Sequence, residues 1–491
     1  MKVWGFAGTD HAKCGLTSRM KFELAIGGLI ALLALSAGAE EVETAKWQAA
    51  IDATAARGGG RVTVPAGRHL VGGLEIRSNV ELHLEEGASL EGLVGLENYR
   101  VVELPYSEGT WSAIVTGLSV TNVAITGTGE IFGNGEPWPQ PDSPGGNQEG
   151  LRARGVFFSN SKDIRLEDFR LRDVACWGIV FHGCDGVVAR RVRIDNHANY
   201  NNDGFDIEAA NALFEDCDVD SSDDAFVLKS NIPTFAVTNV IVRNCIARSH
   251  CYAYKLGTAS HGTMADIRFE NNLALPPRRD FIDRRSKSPN RGNPFWSDRK
   301  HYGDFPAGLG GGAFAVECVD GGVVERIVCD GLEAYGYRAP IFVRGGTRTG
   351  RGCGTPPNDK YVLRDIVIRN VKGIAGSEIA SSVSGVDGCR AVNVTLENVD
   401  IICRGAGEEA SRKALSTPVP NVSGEYPSVA MFHHILPAYG LWTDRTDGLS
   451  IRNVNFRLRD GETDLRPAIF PVAAGLTKGR LGTEPARGDG Y

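Results

Sequence analysis

The stretch VIVRNC (240–245) carries the pattern that decides the fold. The pattern is an apolar residue, any residue, an apolar residue, two polar or small residues, and an apolar or small residue. Val240, Val242 and Cys245 fill its three apolar positions. Alternation with a period of two is typical of a short strand with one buried face. Each copy of the pattern therefore predicts one short strand.

The same pattern recurs along most of the chain. The first residues of five early copies are Ile164, Val187, Ala212, Val240 and Ile267, which are 23, 25, 28 and 27 residues apart. Later copies begin at Ile327, Ile366, Val394 and Leu449, with larger gaps that indicate insertions. A period in the twenties is the signature of a solenoid whose stacked coils bury a continuous core. We therefore predict an all-β fold, a right-handed parallel β-helix.

Composition narrows the class of protein. The 491 residues include 61 Gly, 22 Pro and 42% hydrophobic residues, which argues against disorder and against collagen. The formal net charge is −7, so no basic excess points to a nucleic-acid partner. The cysteines form no CxxC pair, which argues against zinc. Cys217 and Cys245 occupy inward positions of the repeat, and we expect them to be small buried hydrophobes.

The N-terminal residues indicate export. Leu24 to Leu35 is an apolar run, Lys21 precedes it, and small residues at 37–39 follow it. This order is typical of a secretory signal peptide, and it predicts a secreted or periplasmic protein with no membrane attachment after cleavage. The residues before Met20 lengthen the charged region, which favours Met20 as the true start.

The ends of a solenoid need caps. Trp47, Ile51 and Ala55 share one helical face, and the glycines at 58–60 end that helix, so we expect a short N-terminal capping helix. The predicted organisation is a signal peptide (1–39), an N-terminal cap with the first coils (40–110), a β-helix catalytic domain (111–476) and a loose tail (477–491). Insertions are expected near 276–312 and 403–445. The first is rich in Arg, Lys and aromatic residues, and it forms either a wall of a sugar-binding site or a solvated loop.

Acidic residues gather on two neighbouring coils. Asn201-Asn202-Asp203-Gly204-Phe205-Asp206 is followed twenty residues later by Ser221-Ser222-Asp223-Asp224. Twenty residues is close to one coil, so these carboxylates are expected one strand spacing apart. Crowded like charges raise at least one pKa, which gives the acid and base that glycosidic hydrolysis needs. Turn capping and calcium binding are the alternatives for such clustered Asp residues.

The stretches NNDGFDI (201–207) and SSDDAFVLKS (221–230) resemble the catalytic motifs of glycoside hydrolase family 28. That family contains polygalacturonases and rhamnogalacturonan hydrolases on a right-handed parallel β-helix. The segments that are similar to a bacterial branch of the family are 58–90, YKLGT (254–258), APIFVRGG (339–346) and LPAYGL (436–441).

The resemblance implies an inverting hydrolase that acts on a pectin-like, acidic polysaccharide or its oligosaccharides without a metal or cofactor. It implies that Asp223 is the general acid and that Asp203 and Asp224 hold and deprotonate the attacking water. The full prediction is: catalytic Asp203, Asp223 and Asp224; substrate-binding Asn201, His250, Tyr252, Lys255 and Arg344. The alternatives are a calcium-dependent polysaccharide lyase on the same fold and a non-catalytic glycan-binding β-helix.

Two departures from the family pattern concern substrate binding. Tyr252 stands where the family has a histidine, and His250 lies two residues earlier. Ala315 and Glu317 stand where the family has an Arg and a Lys that grip a uronate carboxylate. We expect Lys255 to point outward, one coil from Asp224, where it compensates for the lost cations or lowers the pKa of a neighbouring Asp. Arg344 is the second candidate for compensation.

Overall fold

The computed structural model describes residues 41–139, 149–279, 310–348, 360–432 and 434–471. The chain divides into two compact units, 1–42 and 43–491, and everything below concerns the second. The predicted signal peptide, the predicted tail and most of the insertion near 276–312 lie outside the described residues.

Short strands make up most of the second unit. In chain order the first sixteen are β1 (Gly60–Val64), β2 (Gly67–Val71), β3 (Leu74–Glu75), β4 (Val80–Leu84), β5 (Ala88–Gly92), β6 (Val102–Glu103), β7 (Thr110–Trp111), β8 (Ala113–Leu118), β9 (Thr121–Gly127), β10 (Glu130–Phe132), β11 (Arg154–Ser159), β12 (Lys162–Glu167), β13 (Arg170–Arg172), β14 (Ile179–Arg190), β15 (Arg193–Asn196) and β16 (Phe205–Glu215). The others are β17 (Asp218–Ser221), β18 (Phe226–Ser230), β19 (Ala236–Arg243), β20 (Ile246–Ser249), β21 (Tyr252–Ser260), β22 (Thr263–Leu275), β23 (Gly310–Cys318), β24 (Gly322–Gly345), β25 (Tyr361–Ala375), β26 (Ser381–Ser384), β27 (Ala391–Cys403), β28 (Leu441–Asp444), β29 (Thr446–Asp447), β30 (Ser450–Leu458) and β31 (Ile469–Phe470).

These strands stack in three parallel ladders, and each turn of the coil contributes one segment to each ladder. The first ladder runs β1, β4, β9, β12, β14, β16, β19, β22, β24, β25, β27 and then β29 and β30. The second runs β2, β5, β10, β13, β15, β17, β20 and on through the second halves of the longer strands. The third runs β3, β8, β11, β14, β16, β18, β21, β23, β24, β26, β28 and β31. The predicted parallel β-helix is confirmed.

The register matches the repeat read from the sequence. Ile164 pairs with Val187, which pairs with Ala212, and Ala212 pairs with Val240. The series continues through Ile267, Ile327, Ile366 and Val394. The inward residues of all three ladders form one continuous apolar core, which includes Cys217 and Cys245 as buried thiols. Burial of these stacked rows is the main source of stability in such a coil.

Asparagines mark one corner of the coil. Asn239, Asn370 and Asn398 all have φ near +55°, in the left-handed region that Asn tolerates. The Nδ2 group of Asn398 donates to Oδ1 of Asn370 on the preceding coil at 3.1 Å. The predicted turn role of these residues is therefore confirmed.

Two α-helices flank the coil. Helix α1 (Thr44–Ala56) buries Trp47 and Ile51 against the first strands and is the predicted capping helix. Helix α2 (Gly407–Ser416) lies in the insertion near 403–445, where the sequence pattern predicts loops. Within the part of the chain that the structure describes, no helix has the length and hydropathy needed to cross a bilayer.

Candidate active site

The acidic corner is the turn between the second and third ladders on three consecutive coils, residues 197–204, 222–225 and 250–251. Backbone hydrogen bonds align these turns. Gly204 N donates to Asp224 O at 2.8 Å, and Ala225 N donates to Tyr252 O at 2.9 Å. Asp203 and the Asp223–Asp224 pair therefore lie on neighbouring coils, as their spacing predicts.

Four carboxyl side chains are buried at this corner. Asp203, Asp206, Asp223 and Asp224 are 3%, 2%, 8% and 4% exposed. Burial, followed by the repulsion from Asp206 and Asp223, raises the pKa of Asp203 well above its usual range. Burial, followed by the neighbouring Asp224 carboxylate, raises the pKa of Asp223 to about 7. The corner thus holds a carboxyl group that is largely protonated at neutral pH beside others that can be ionised.

Asp224 forms a buried ion pair. Lys255 Nζ lies 2.9 Å from Asp224 Oδ2, and Tyr426 Oη lies 3.4 Å from the same ammonium. Burial alone would lower the pKa of Lys255, but the Asp224 carboxylate raises it well above its usual value. Tyr254 and Leu256 point into the core, so Lys255 faces outward, as the alternation along β21 predicts. A fixed positive charge at this distance favours the ionised form of Asp224.

A second buried pair lies one coil away, between Asp206 and Lys229. Lys229 Nζ is 2.8 Å from Asp206 Oδ1 and 3.7 Å from the centre of the Trp177 ring. Burial raises the pKa of Asp206 to about 6, although Lys229 opposes the shift. The sequence analysis quoted both residues within their motifs but assigned neither of them a role. Strand alternation beside the inward Phe205 and Phe226 is the signal that places them on the outward face.

Asparagine side chains fix the turn that carries Asp203. Asn202 Nδ2 donates to Val174 O and to Cys176 O, both at 2.8 Å, and Asn196 Nδ2 donates to Asp203 O at 2.9 Å. Asp203 Oδ1 is buried and accepts no hydrogen bond from any described residue. This oxygen is therefore positioned by its backbone and can accept a hydrogen bond from water or substrate.

Asn201, His250 and Tyr252, three of the predicted substrate-binding residues, lie beside the acidic corner. Asn201 Oδ1 accepts a hydrogen bond from Arg152 at 2.9 Å. His250 Nε2 lies 2.9 Å from Arg279 O, and burial, followed by the nearby His197, lowers the pKa of His250 to about 4. Tyr252 is fully buried. Their substrate-binding roles remain predictions.

Arg344 lies further from the carboxyls and is engaged with its own chain. It is 2% exposed, and it donates to Val422 O at 2.7 Å and to Ser384 Oγ at 3.2 Å. Burial lowers its pKa to about 10. This placement favours a structural role over substrate contact, so its assignment remains a prediction.

The outer layer, residues 417–432, covers the outward face of the third ladder next to Lys255. Val422, Val429, Met431 and Phe432 pack in one apolar cluster with Tyr252, Ala315, Ala339 and Phe342. Ala315 is the register neighbour of Lys255 on the next coil. Glu317, two residues further along β23, is fully buried, and burial raises its pKa to about 8.

The donor set at the corner does not suit calcium. Asp223, Asp224 and Cys251 have potential ligand atoms within 4.8 Å of one another. Calcium prefers six to eight hard oxygen ligands, whereas this group includes a thiol. In addition, Lys255 already supplies a cation to Asp224.

The insertion near 276–312 begins with two arginines that bind the coil. Arg278 N donates to Asp220 Oδ2 at 3.0 Å, and Arg279 pairs with Asp173 and Asp195, both at 3.0 Å. The other basic and aromatic residues of this insertion lie outside the described residues. The two described arginines are therefore engaged with carboxylates of the coil, and their role in substrate binding remains open to test.

Comparison with known proteins agrees with this geometry. The family model "Glycosyl hydrolases family 28" matches residues 56–272, a range that contains the four carboxyls and both lysines. A probable polygalacturonase from Vitis vinifera is 26% identical over 242 residues, which are 44% of this chain and 48% of that protein. The match thus spans about half the length of this curated relative.

Solved structures with the same architecture include two exopolygalacturonases. The enzyme from Thermotoga maritima superposes with a TM-score of 0.58 and 20% identity, covering 75% of this chain and 84% of that one. The family 28 enzyme from Yersinia enterocolitica gives 0.57 and 16%, covering 88% and 75%. At these identities the structural likeness supports the fold, and the family model supports the assignment of the acidic coils. The chain belongs to glycoside hydrolase family 28 and is polygalacturonase-like.

Proposed function

We propose that this protein hydrolyses glycosidic bonds in a pectin-type polysaccharide or its oligosaccharides. The observation that carries the proposal is the burial of Asp203, Asp223 and Asp224 together at one corner of neighbouring coils. Hydrolysis of a glycosidic bond needs one carboxyl group as an acid and another as a base. The pectin-type substrate is inferred from the named polygalacturonases to which the chain is similar.

The local charges divide the roles. Asp223, with a pKa of about 7, donates its proton to the glycosidic oxygen as the bond from the anomeric carbon to that oxygen breaks. Asp224, held ionised by Lys255 at 2.9 Å, and Asp203 orient a water molecule on the opposite face of the sugar ring. The water oxygen bonds to the anomeric carbon, and one of these two carboxylates accepts its proton. The anomeric configuration inverts in this single displacement.

We also propose that the protein acts outside the cytoplasm. The proposal rests on the apolar run from Leu24 to Leu35 with small residues at positions 37–39. Expression of the full chain followed by N-terminal sequencing of protein from the medium or the periplasm tests it. Cleavage near position 39 supports the proposal, and an intact N-terminus in the cytoplasmic fraction contradicts it.

The chemistry is tested by the products formed from pectin-type oligosaccharides. We expect new reducing ends, an inverted anomer seen by proton NMR within the first minutes, and no ultraviolet absorbance from an unsaturated sugar. A chelator should leave the rate unchanged. Unsaturated products whose formation stops with the chelator would instead show a calcium-dependent lyase. Saturable binding without new reducing ends would show a glycan-binding protein.

A further inference from the structure

The charges around Glu317 bear on which sugar the site accepts. Glu317 is fully buried, and neither of its carboxyl oxygens accepts a hydrogen bond from a described residue. Lys255 Nζ lies 3.9 Å from Glu317 Oε2, and Arg344 is the register neighbour of Glu317 on the next coil. Arg348 is the third cation whose field reaches this carboxyl. Glu317 therefore lies among three cations without a hydrogen bond to any of them.

Each of those cations already has a partner within the chain. Lys255 pairs with Asp224 at 2.9 Å. Arg348 forms a two-pronged contact with Asp320, with Nε 2.7 Å from Oδ1 and Nη2 2.5 Å from Oδ2. Arg344 donates to a backbone carbonyl and a serine hydroxyl of its own chain. A carboxylate on a bound sugar would have to displace one of these internal contacts to gain a cation.

The coil on the other side of the corner has the same balance. Lys229 is 2.8 Å from Asp206 and 3.8 Å from Glu108. The ammonium thus lies between two carboxyl groups, and its remaining face lies over the Trp177 ring. Among the described residues near the corner, carboxyl groups outnumber the cations whose contacts have been given: Asp203, Asp206, Asp223, Asp224, Glu108, Glu317 and Asp320 against Lys229, Lys255, Arg344 and Arg348.

We infer that the sugar bound at Asp223 and Asp224 carries no free carboxylate, and is either a neutral sugar or an esterified uronate. The inference rests on the proposed function, because it names the sugar on which that chemistry acts. A free uronate at this position would bring a negative charge into a cluster in which acids exceed cations and each of these cations is paired. An uncharged sugar meets no such repulsion and still offers hydroxyl groups to the carboxylates.

The test compares one polymer in two charge states. Methyl-esterified homogalacturonan and the same preparation after saponification differ in charge but not in linkage, and a rhamnogalacturonan and a neutral galactan complete the set. We expect kcat/KM on the best uncharged substrate to exceed that on the saponified polymer at least tenfold. Highest activity on the esterified galacturonan assigns an esterified uronate, whereas highest activity on the other two glycans assigns a neutral sugar. Equal or higher kcat/KM on the saponified polymer would overturn the inference.

A binding measurement separates this inference from the proposed function. The variant Asp223→Asn is titrated with the esterified and the saponified polymer at 50 mM and at 500 mM NaCl. We expect tighter binding of the esterified polymer, with an affinity that changes less than twofold between the two salt concentrations. Tighter, salt-sensitive binding of the saponified polymer would show a working carboxylate clamp and overturn the inference. Absence of hydrolysis of every glycan by the unmodified protein would overturn the proposed function, while the binding comparison would still decide which charge state the site prefers.

Discussion

Two carboxylates on the same strand meet opposite fates. Glu215, at the end of β16, has Arg190 and Arg243 as its register neighbours on the adjacent coils. The hydrogen bond from Arg190 is the largest cause of its lowered pKa. Asp206, near the start of β16, has Val180 and Val227 as its register neighbours, and burial raises its pKa to about 6. In a parallel coil, the neighbours above and below thus decide whether a carboxylate is structural or chemically poised.

The largest expected effect comes from the acidic corner. Asp223→Asn removes the proton that the leaving oxygen needs, so kcat should fall by about 10³-fold. Glu215→Gln is the matched control, because it neutralises a carboxylate of the same domain outside the corner. Reducing-end assays on one pectin-type substrate, with circular dichroism to verify folding, make the comparison. A folded Asp223→Asn variant with full activity would contradict the assignment of Asp223 as the acid.

The next effect concerns the buried partner of Asp224. Lys255→Met leaves the Asp224 carboxylate buried without its cation, which should lower the free energy of unfolding by about 3–5 kcal/mol. The pKa of Asp224 should rise, so the acidic limb of the pH–rate profile should move to higher pH. Urea unfolding and a pH profile measure the two effects. An unchanged acidic limb would show that Lys255 does not control the ionisation of Asp224.

Glu317 should make stability depend on pH. Its pKa is about 8 in the folded protein against an ordinary value of 4.5, so between these values the folded state keeps a proton that the unfolded state has released. The free energy of unfolding therefore falls as the pH rises through this interval. In Glu317→Gln this contribution is absent, so urea unfolding at pH 5, 6.5 and 8 should show a smaller loss of stability than in the unmodified protein. Parallel losses in both proteins would contradict the buried, protonated state of Glu317.

The smallest effect is expected on the exposed side of the comparison. Glu215→Gln breaks ion pairs with Arg190 and Arg243, whose side chains are 38% and 40% exposed. Exposed pairs of this kind contribute less than about 1 kcal/mol, and 1 M salt should remove the difference. Thermal unfolding with and without salt measures it. A loss as large as that from Lys255→Met would show that the two kinds of site do not differ in the way proposed.

The repeat made the fold predictable from the sequence. Period-two alternation and spacings of 23 to 28 residues predicted the ladders, and the same logic placed Asp203 beside Asp224 and turned Lys255 outward. Each of these inferences needed only the chain's neighbours one coil away.

Contacts between distant segments were beyond the sequence pattern. Tyr426 reaches Lys255 across 171 residues, and no repeat links the two. The outer layer and the burial of Glu317 depend on where the insertion near 403–445 packs, which alternation does not specify. Asp206 and Lys229 are different, because the outward positions of β16 and β18 already placed them beside the acidic motifs.

The central claim is that burial and a neighbouring carboxylate keep Asp223 protonated at neutral pH. The pH dependence of kcat/KM on a pectin-type oligosaccharide tests it most directly, since its alkaline limb reports the acid of the free enzyme. We predict that kcat/KM declines above a pH of about 7, by tenfold per pH unit at higher pH. A kcat/KM that stays constant from pH 6 to pH 9 would contradict the claim.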